Sequence, residues 1–177
     1  MQGDANEVLI KIANTTDWRF TRAAIFIDPY GMQVNWETLE ALSKTESVDI
    51  ALFFPTGPLN RMLKKDGDIP DDWSSRIDAV LGDCDWHDSF YNEVEQEKDL
   101  FSFSQTITER TVTADGLRQF AKMRLETIFP LVCDKQLEMV NSKGSILYHL
   151  FIICANPSAA AQSLARKLAN SAIDIKK

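Results

Sequence analysis

The stretch AAIFIDPYG at residues 23–31 decides the fold, together with VDIALFFP at residues 48–55. Each begins with an uninterrupted apolar run and ends in a turn sequence that contains proline. A short run that is apolar on both faces is typical of a central strand in a covered, mostly parallel sheet. Between the two, residues 36–44 repeat large apolar side chains every three residues, and Asn35 can cap that helix. The two runs therefore predict a βαβ unit with a right-handed crossover.

The last third of the chain predicts an antiparallel hairpin followed by a helix. Residues 135–141 alternate polar and apolar side chains, and residues 146–155 form a strongly apolar run. The short turn sequence SKGS at 142–145 joins them. The sequence NPS at 156–158 then begins a helix, because proline suits the first turn. The fold class is therefore α/β, with parallel strands first and an antiparallel hairpin near the carboxyl end.

The remaining segments predict helices around a polar middle. Apolar spacing predicts helices at residues 7–14, 59–65, 71–81 and 113–128. Asp4 or Asn6 can cap the first of these helices, and Thr113 can cap the last. Residues 84–112 are polar and rich in aromatic side chains, and we interpret them as a variable helical or loop insertion. The acidic run at 93–99 within this insertion is typical of a solvated helix face or loop.

Composition favours a soluble protein with one domain spanning residues 1–177. The chain weighs 20.0 kDa and is 45% apolar and 25% charged, which suits a single core. A formal charge of −7 argues against broad electrostatic capture of nucleic acid or anionic lipid. The longest apolar stretch is far shorter than a membrane span, and the amino terminus lacks a signal-peptide pattern. We therefore expect a cytoplasmic protein without membrane contact.

Metal and disulfide chemistry have little support in the sequence. Cys84, Cys133 and Cys154 lie far apart, and no CxxC spacing occurs. Cys154 lies in an apolar run and is predicted to be a buried, inert thiol. Because the chain has two histidines, a histidine-rich site is not expected, and no metal ligand is assigned. A metal-dependent hydrolase built on Asp4 and Asp28 stays open as a minor hypothesis.

Ligand binding is expected where the parallel strands end, because open α/β sheets bind ligands outside the carboxyl ends of their strands. Asp28 follows the first apolar run directly. Asp49 lies near the start of the second run, so we expect it at the opposite edge. The candidate site comprises Asp4, the loop 28–31 and the loop 55–61.

The sequence DPYG at 28–31 combines residues that suit recognition of a flat ligand. Pro29 fixes one backbone angle and stiffens the loop after Asp28. Tyr30 offers a ring that can stack on a planar base and a hydroxyl that can form a hydrogen bond. An acidic acceptor beside a stacking ring can hold an amino group on a heteroaromatic base. The alternative is an ordinary β-turn, for which DPxG is also favourable.

Other polar residues have simpler interpretations. His149, within the apolar run, is predicted to be packed or hydrogen-bonded rather than a catalytic base. Arg118, Lys122 and Arg124 fall within two helical turns, where they could contact a phosphate backbone. A solvated helix face is the favoured interpretation of these three.

The order and spacing of several segments resemble one known family. The chain is similar to the three-Cys-motif partner protein family (TcmP) at GDAN (3–6), AAIFIDPYG (23–31), NWETLEAL (35–42), VDIALFFP (48–55), the pair at 60–61 and YHLFIICANP (148–157). The similarity runs over nearly the whole chain and is weakest between residues 84 and 111. Members of this family resemble class I S-adenosylmethionine-dependent methyltransferases. The resemblance therefore implies a Rossmann-like, methyltransferase-type sheet.

The resemblance also implies a cofactor site and a catalytic segment. Asp4 and Ala5 match the segment after the third strand of such folds, where the adenine of S-adenosylmethionine is bound. Asp28, Pro29 and Tyr30 match the catalytic segment after the fourth strand. This segment is similar to the DPPY pattern of amino-methyltransferases, from which it differs by the missing second proline.

Asn60 and Arg61 match family positions after the fifth strand, and the resemblance assigns them to substrate binding. Arg61 can orient an anionic or carbonyl group there. The Gly-rich loop and first three strands of such methyltransferases have no counterpart before Gly3. We therefore expect part of a longer domain, without the cradle for the methionine end of the cofactor. The strand at 23–27 would then present an open edge, which can pair with a second copy in a homo-oligomer or with another chain.

Two functions follow from the resemblance. The first is a methyltransferase that uses S-adenosylmethionine, with a nucleic acid base as the favoured substrate class. The alternative is a non-catalytic protein that binds a three-Cys-motif protein as its partner. The missing Gly-rich loop favours the second function for the chain by itself.

Overall fold

The computed structural model describes residues 3–82, 84–96 and 105–174. Its helices are α1 (Ala5–Thr15), α2 (Trp36–Ser43), α3 (Thr56–Met62), α4 (Asp71–Leu81), α5 (Trp86–Phe90), α6 (Ala114–Glu126) and α7 (Ala159–Asp174). Its strands are β1 (Ala23–Ile27), β2 (Val48–Phe54), β3 (Tyr91–Gln96), β4 (Gln105–Arg110), β5 (Leu131–Val132), β6 (Leu137–Val140) and β7 (Ile146–Cys154). The chain is a mixed α/β protein, as its sequence predicts.

A mixed sheet of five strands organises the protein. β1 and β2 pair in parallel, with Ala23 opposite Val48 and Ile27 opposite Leu52. β7 pairs antiparallel with the other side of β2, and β5 and β6 both pair antiparallel with β7. The predicted parallel pair and the predicted hairpin of β6 and β7 are confirmed. Among the described strands, β1 forms one edge of the sheet.

The larger core lies on one face of this sheet. Alternate residues of the strands point into it, and Ile50, Leu52, Phe151 and Ile153 are at most 1% exposed. The helices between the strands supply further buried side chains, including Leu42, Leu59, Ile77, Leu81, Leu117 and Leu125. Because burying one large aliphatic side chain contributes about 1.5–3 kcal/mol, this face dominates the stability of the fold.

The opposite face of the sheet is covered only in part. α7 covers β5 and the end of β7 through a small cluster of Leu131, Cys133, Cys154, Ala165 and Ala169. Near β1 the same face is open, and Phe26 is 65% exposed. The prediction that β1 is central and covered on both faces is therefore wrong for the described residues. β1 is an edge strand because no described strand lies beyond it.

Three aromatic side chains cross this open face. The rings of Phe26 and Phe53 meet edge to face, with centroids 5.2 Å apart. The ring of Tyr148 meets that of Phe53 in the same way at 6.4 Å. We call Phe26, Phe53 and Tyr148 the aromatic row. Contiguous exposed apolar surface of this kind often marks a contact site.

The polar middle of the chain holds a hairpin rather than a helix or loop alone. β3 and β4 pair antiparallel in a separate two-stranded sheet. Within residues 84–112, for which the sequence suggested helix or loop, the described residues form α5 and this hairpin. Residues 93–96 of the acidic run belong to β3, and residues 97–99 lie outside the described residues. Alternation in this hairpin is hard to see in the sequence because polar side chains occupy both of its faces.

Helix ends agree with the predicted caps at two of three positions. The side chain of Asp4 accepts hydrogen bonds at the start of α1, and that of Thr113 accepts from Gly116 N at the start of α6. Asn35 occupies the N-cap position of α2, but its side chain forms no cap hydrogen bond. α4 ends at Gly82, whose φ of 77° suits glycine, and a Cβ there would lie 2.7 Å from the Trp36 ring.

Candidate functional site

The start of α1 is tied to the loop that follows β1. The side-chain amide of Asn6 donates to the carbonyl oxygen of Gln33 at 2.8 Å. Its amide oxygen accepts from Asn35 N at 3.0 Å and from Thr38 Oγ1 at 2.8 Å. Because Thr38 is fully buried, these bonds hold the loop against the core as well as against α1. Asn6 therefore fixes the start of α1 to residues 33–38, where the loop after β1 leads into α2.

A cavity of about 390 Å³ lies between α1 and the end of β1. Its lining combines Ala5, Val8 and Leu9 of α1 with Asp28, Pro29 and Tyr30 of the loop. This volume falls in the usual range of small-molecule sites, and the mixture of apolar walls and few polar groups is typical of them. The structure thus brings Ala5 together with the predicted catalytic segment. We call this space the β1 cavity.

Two side chains of the β1 cavity are free to contact a ligand. Asp28 is exposed, and its carboxylate has no hydrogen-bond or ion-pair partner among the described residues. Tyr30 is 89% exposed, so its ring has two accessible faces. An acceptor and a stacking surface therefore lie two residues apart on a loop stiffened by Pro29.

Asp4 is the N-cap of α1, and it is not among the residues that line this cavity, although its neighbour Ala5 is. Its Oδ1 accepts from Asn6 N at 2.9 Å and from Glu7 N at 3.3 Å. These bonds satisfy two amide groups that the first turn of α1 otherwise leaves unpaired. Asp4 stays exposed, so its second carboxylate oxygen is available to a ligand.

Asn60 and Arg61 lie in a different cavity, of about 440 Å³, with Thr56 and Leu147. Asn60 is held by Arg110, which donates to its carbonyl oxygen at 2.9 Å and to its side-chain oxygen. Arg61 is exposed, and it has no side-chain partner among the described residues. The structure therefore separates the predicted substrate-binding pair from the β1 cavity. Of the two residues, Arg61 is the one available to a ligand.

His149 is buried behind that second cavity. Its Nδ1 lies 2.8 Å from Thr56 Oγ1, and its Nε2 lies 3.7 Å from Glu138 Oε2. Burial lowers the pKa of the imidazole, an effect that the nearby Glu138 carboxylate opposes. His149 is only 3% exposed and Thr56 is fully buried. The histidine is therefore packed and hydrogen-bonded, as predicted, and it joins β7 to the start of α3.

The three cations of α6 are also engaged within the protein. Arg118 pairs with Asp115 at 2.8 Å, and Lys122 lies 3.3 Å from Asp134. The guanidinium of Arg124 lies 4.9 Å from the centroid of the Trp36 ring. All three are half-buried, so the prediction of a freely solvated face is wrong in detail. Each of the three side chains already has a partner within the protein, which argues against a surface built for a phosphate backbone.

A cleft of about 530 Å³ lies at the other ends of β1 and β2, beside Trp18 and Ser47. Its two arginines have partners, since Arg19 pairs with Asp17 at 2.7 Å and Arg22 donates to Ser47 Oγ at 2.9 Å. This end also lacks the carboxyl termini of the parallel strands, where ligands usually bind. The β1 cavity is therefore the stronger candidate.

Thiol and metal chemistry find no site in the described parts of the chain. Cys84, Cys133 and Cys154 are free thiols, and burial raises the pKa of Cys154 to about 11. Cys154 is fully buried, as predicted. No group of three or more His, Cys, Asp and Glu side chains could hold a metal ion, and no helix is long and apolar enough to cross a membrane, within residues 3–82, 84–96 and 105–174.

Comparison with known proteins found no relative of this chain. No family model matches it, and neither a curated protein nor a solved structure matches at a significant level. The function of this chain is therefore inferred from its own residues.

Sequence reasoning missed the most connected residue of the site. The sequence marks Asn6 only as a possible helix cap, whereas its side chain joins α1 to the loop after β1 and to Thr38 of α2 through three hydrogen bonds. No local pattern marks an asparagine for contacts about thirty positions away. Helical spacing indicates that Val8 and Leu9 are apolar residues of one helix. Nothing in the sequence shows that they line a cavity together with residues 25–30.

Proposed function

We propose that this chain is a methyltransferase-like domain of the three-Cys-motif partner protein type that uses S-adenosylmethionine. One observation carries the proposal. The β1 cavity joins the start of α1 to an exposed carboxylate and an exposed phenol ring at the carboxyl end of a parallel strand. The sheet supports the proposal, since two parallel strands with an antiparallel hairpin after them agree with a Rossmann-like, methyltransferase-type sheet.

The residues around the cavity fit a nucleoside at the start of α1. Ala5 is small and lines the cavity, which leaves space for a flat ring beside the helix. The free oxygen of Asp4 can accept a hydrogen bond from an amino or hydroxyl group of the adenosine end. The apolar walls of Val8 and Leu9 suit an aromatic base.

The loop after β1 would hold the group that receives the methyl. Asp28 accepts a hydrogen bond from its amino group, and Tyr30 stacks on its ring, so a nucleic acid base is the substrate class that we favour. S-adenosylmethionine, when bound, supplies a methyl group on a sulfonium. Such a transfer depends on in-line positioning more than on proton transfer, which suits a cavity without histidine in its lining. Arg61 lines the second cavity, and we propose it for an anionic or carbonyl group of a substrate that extends from the β1 cavity to that cavity.

Calorimetric titration with S-adenosylmethionine tests the proposal. We compare the wild type with Asp4→Asn, since asparagine caps a helix about as well as aspartate and removes only the charge. Losing a charge-assisted hydrogen bond costs roughly 1.5–3 kcal/mol, so affinity should fall by at least about tenfold. Asp72→Asn, at an exposed position in the first turn of α4, serves as the matched control and should leave affinity unchanged. A titration without heat at millimolar cofactor, or equal effects of the two variants, contradicts the proposal.

The second candidate is a non-catalytic protein that binds a three-Cys-motif protein. The aromatic row on the open sheet face favours this candidate, because no described element covers it. Titration of a purified three-Cys-motif protein discriminates between the two, and no complex at micromolar concentration counts against it. The three free cysteines suit a reducing compartment, and we place the protein in the cytoplasm on that ground.

A further inference from the structure

The cleft beside Trp18 and Ser47 contains an arginine that is anchored on one side and free on the other. Arg22 donates to the carbonyl oxygens of Trp18 and Thr21 at 2.8 Å each, and to Ser47 Oγ at 2.9 Å. All three bonds leave from Nη1, and all three acceptors are neutral. Its Nε and Nη2, the fork that can hold a carboxylate through two parallel bonds, have no partner among the described residues. The protein therefore fixes this guanidinium and leaves its charge uncompensated.

The same cleft contains an unpaired carboxylate. Glu46 is exposed, and its side chain has no hydrogen-bond or ion-pair partner in the described parts of the chain, although two arginines line the cleft with it. Arg19 is engaged by Asp17, at 2.7 Å. Arg22 and Glu46 thus present opposite charges in one cleft without neutralising each other. A ligand that carries both charges would match them.

Glu46 also has a backbone conformation that favours glycine. Its φ is 51°, and it is the one non-glycine residue with a positive φ among the residues that the structure describes. It lies just after α2, where its amide donates to the carbonyl oxygen of Ser43 at 3.2 Å. A side chain in this conformation costs stability that glycine would not. Strain of this kind is often found at functional sites, so it supports a use for the Glu46 carboxylate.

The rest of the lining suits the apolar part of a small ligand. Nε1 of Trp18 donates to the carbonyl oxygen of Ala13 at 2.7 Å, which holds the indole ring in place. Pro157 adds a second apolar surface. The side-chain oxygen of Asn156 accepts from Ser158 N at 2.9 Å, which leaves its amide hydrogens free to donate. The volume of about 530 Å³ is in the usual range of small-molecule sites.

We propose that this cleft binds a free amino acid with an apolar side chain. The carboxylate of the ligand accepts two parallel hydrogen bonds from Nε and Nη2 of Arg22, and its ammonium group pairs with Glu46. Its side chain lies against Trp18. A carboxylate fits better than a phosphate, because the second negative charge of a phosphate would face Glu46. The cleft and the β1 cavity lie at opposite ends of β1, so the inference does not depend on the proposed function.

Titration of the full chain with L-phenylalanine, followed by backbone amide chemical shifts, tests the proposal. We expect saturable changes at residues 18–22, 45–47 and 156–158, with a dissociation constant below about 1 mM. The probe 3-phenylpropionate lacks the ammonium group and phenethylamine lacks the carboxylate, so each should bind at least about tenfold more weakly. No saturation by phenylalanine at about 10 mM, or equal binding of the three probes, overturns the proposal.

A matched pair of variants tests the arginine fork. Arg22→Lys keeps the positive charge and removes the fork, so it should weaken phenylalanine binding at least about tenfold. Arg19→Lys changes an arginine of the same cleft that Asp17 already engages, and it should change the affinity by less than about twofold. Equal effects of the two variants, or no effect of Arg22→Lys, contradict the assignment of Arg22.

Glu46→Gly provides a second test, because Arg22 also anchors Trp18 and Ser47 and its replacement could loosen the fold. This change relieves the backbone, so it should raise Tm by roughly 2–4 °C. It should also weaken phenylalanine binding at least about tenfold and leave the binding of 3-phenylpropionate nearly unchanged. A stabilised variant that keeps the wild-type affinity for phenylalanine, or one that loses both probes equally, overturns the role of Glu46.

Discussion

At the scale of single residues, His149 shows how a buried ionisable group shapes stability. Its imidazole faces Thr56 of α3, Glu138 of β6, and Asp115 and Arg118 of α6. Burial in this place favours the neutral ring, because the charged form would lose its water. The hydrogen bond to Thr56 survives in that neutral form. The contact is therefore a pH-sensitive link between the last strand and α3.

The free energy of unfolding should fall as the pH is lowered below about 6.5. The pKa of His149 is lowered from 6.5 in the folded protein, so the unfolded chain binds the proton first. This one group contributes at most about 1.4 kcal/mol per pH unit between its two pKa values. Urea unfolding across that range measures the slope. His149→Gln should flatten it, whereas His87→Gln, which replaces an exposed imidazole, should not; equal slopes in all three proteins would contradict the assignment.

Residue types in the candidate site were predictable only where the chain itself brings them together. Asp28 and Tyr30 follow the end of β1 within three residues. Predicting where β1 ends was therefore enough to place both residues at the carboxyl end of the parallel strands. The engagement of Asn60 was not predictable, because its partner Arg110 lies fifty residues away in the sequence, at the end of β4. The contacts of Asn6 were not predictable either, because they join residues about thirty positions apart in the sequence.

At the scale of elements, α3 packs closely against β7 because Gly57 has no side chain. A Cβ on Gly57 would lie 2.9 Å from the carbonyl oxygen of Leu147 and closer still to that of Ile146. Backbone atoms of a paired strand cannot move aside cheaply. The first turn of α3 can therefore pack at this distance only with glycine.

Gly57→Ala should destabilise the protein by about 1–3 kcal/mol, although alanine is the better helix former. The matched control is Gly116→Ala in the first turn of α6, where the nearest atom is a side-chain methyl carbon of Val112 at 3.0 Å. That change should cost less, because the contact is longer and involves a side chain rather than the backbone of a paired strand, and because alanine favours the helix. Urea unfolding of both variants provides the comparison, and a Gly57→Ala protein as stable as the wild type would contradict the packing argument.

Elements with strong apolar patterns were predictable, and polar elements were not. β1, β2 and β7 are short apolar runs, and the sequence placed each within two residues of its observed bounds. The hairpin of β3 and β4 carries polar side chains on both faces, so nothing in its sequence distinguishes it from a loop. β5 has two residues and was too short to recognise.

At the scale of the whole molecule, helices cover one face of the sheet, whereas the other face is covered only in part. Helices fill one face, α7 covers the far part of the second face, and β1 leaves an edge beside the aromatic row. The ligand site that we propose lies at this edge, because Ile25, Phe26 and Ile27 of β1 line the β1 cavity.

The central claim is that S-adenosylmethionine binds in the β1 cavity and not at the opposite ends of the strands. Chemical-shift mapping of backbone amides during titration with S-adenosylmethionine tests this claim most directly. We predict that the shifts change at residues 5–9 and 25–34, the two segments that contain the lining of the β1 cavity. Shifts confined to the cleft around Trp18, Ser47 and Ser158, or no change at millimolar cofactor, would contradict the account.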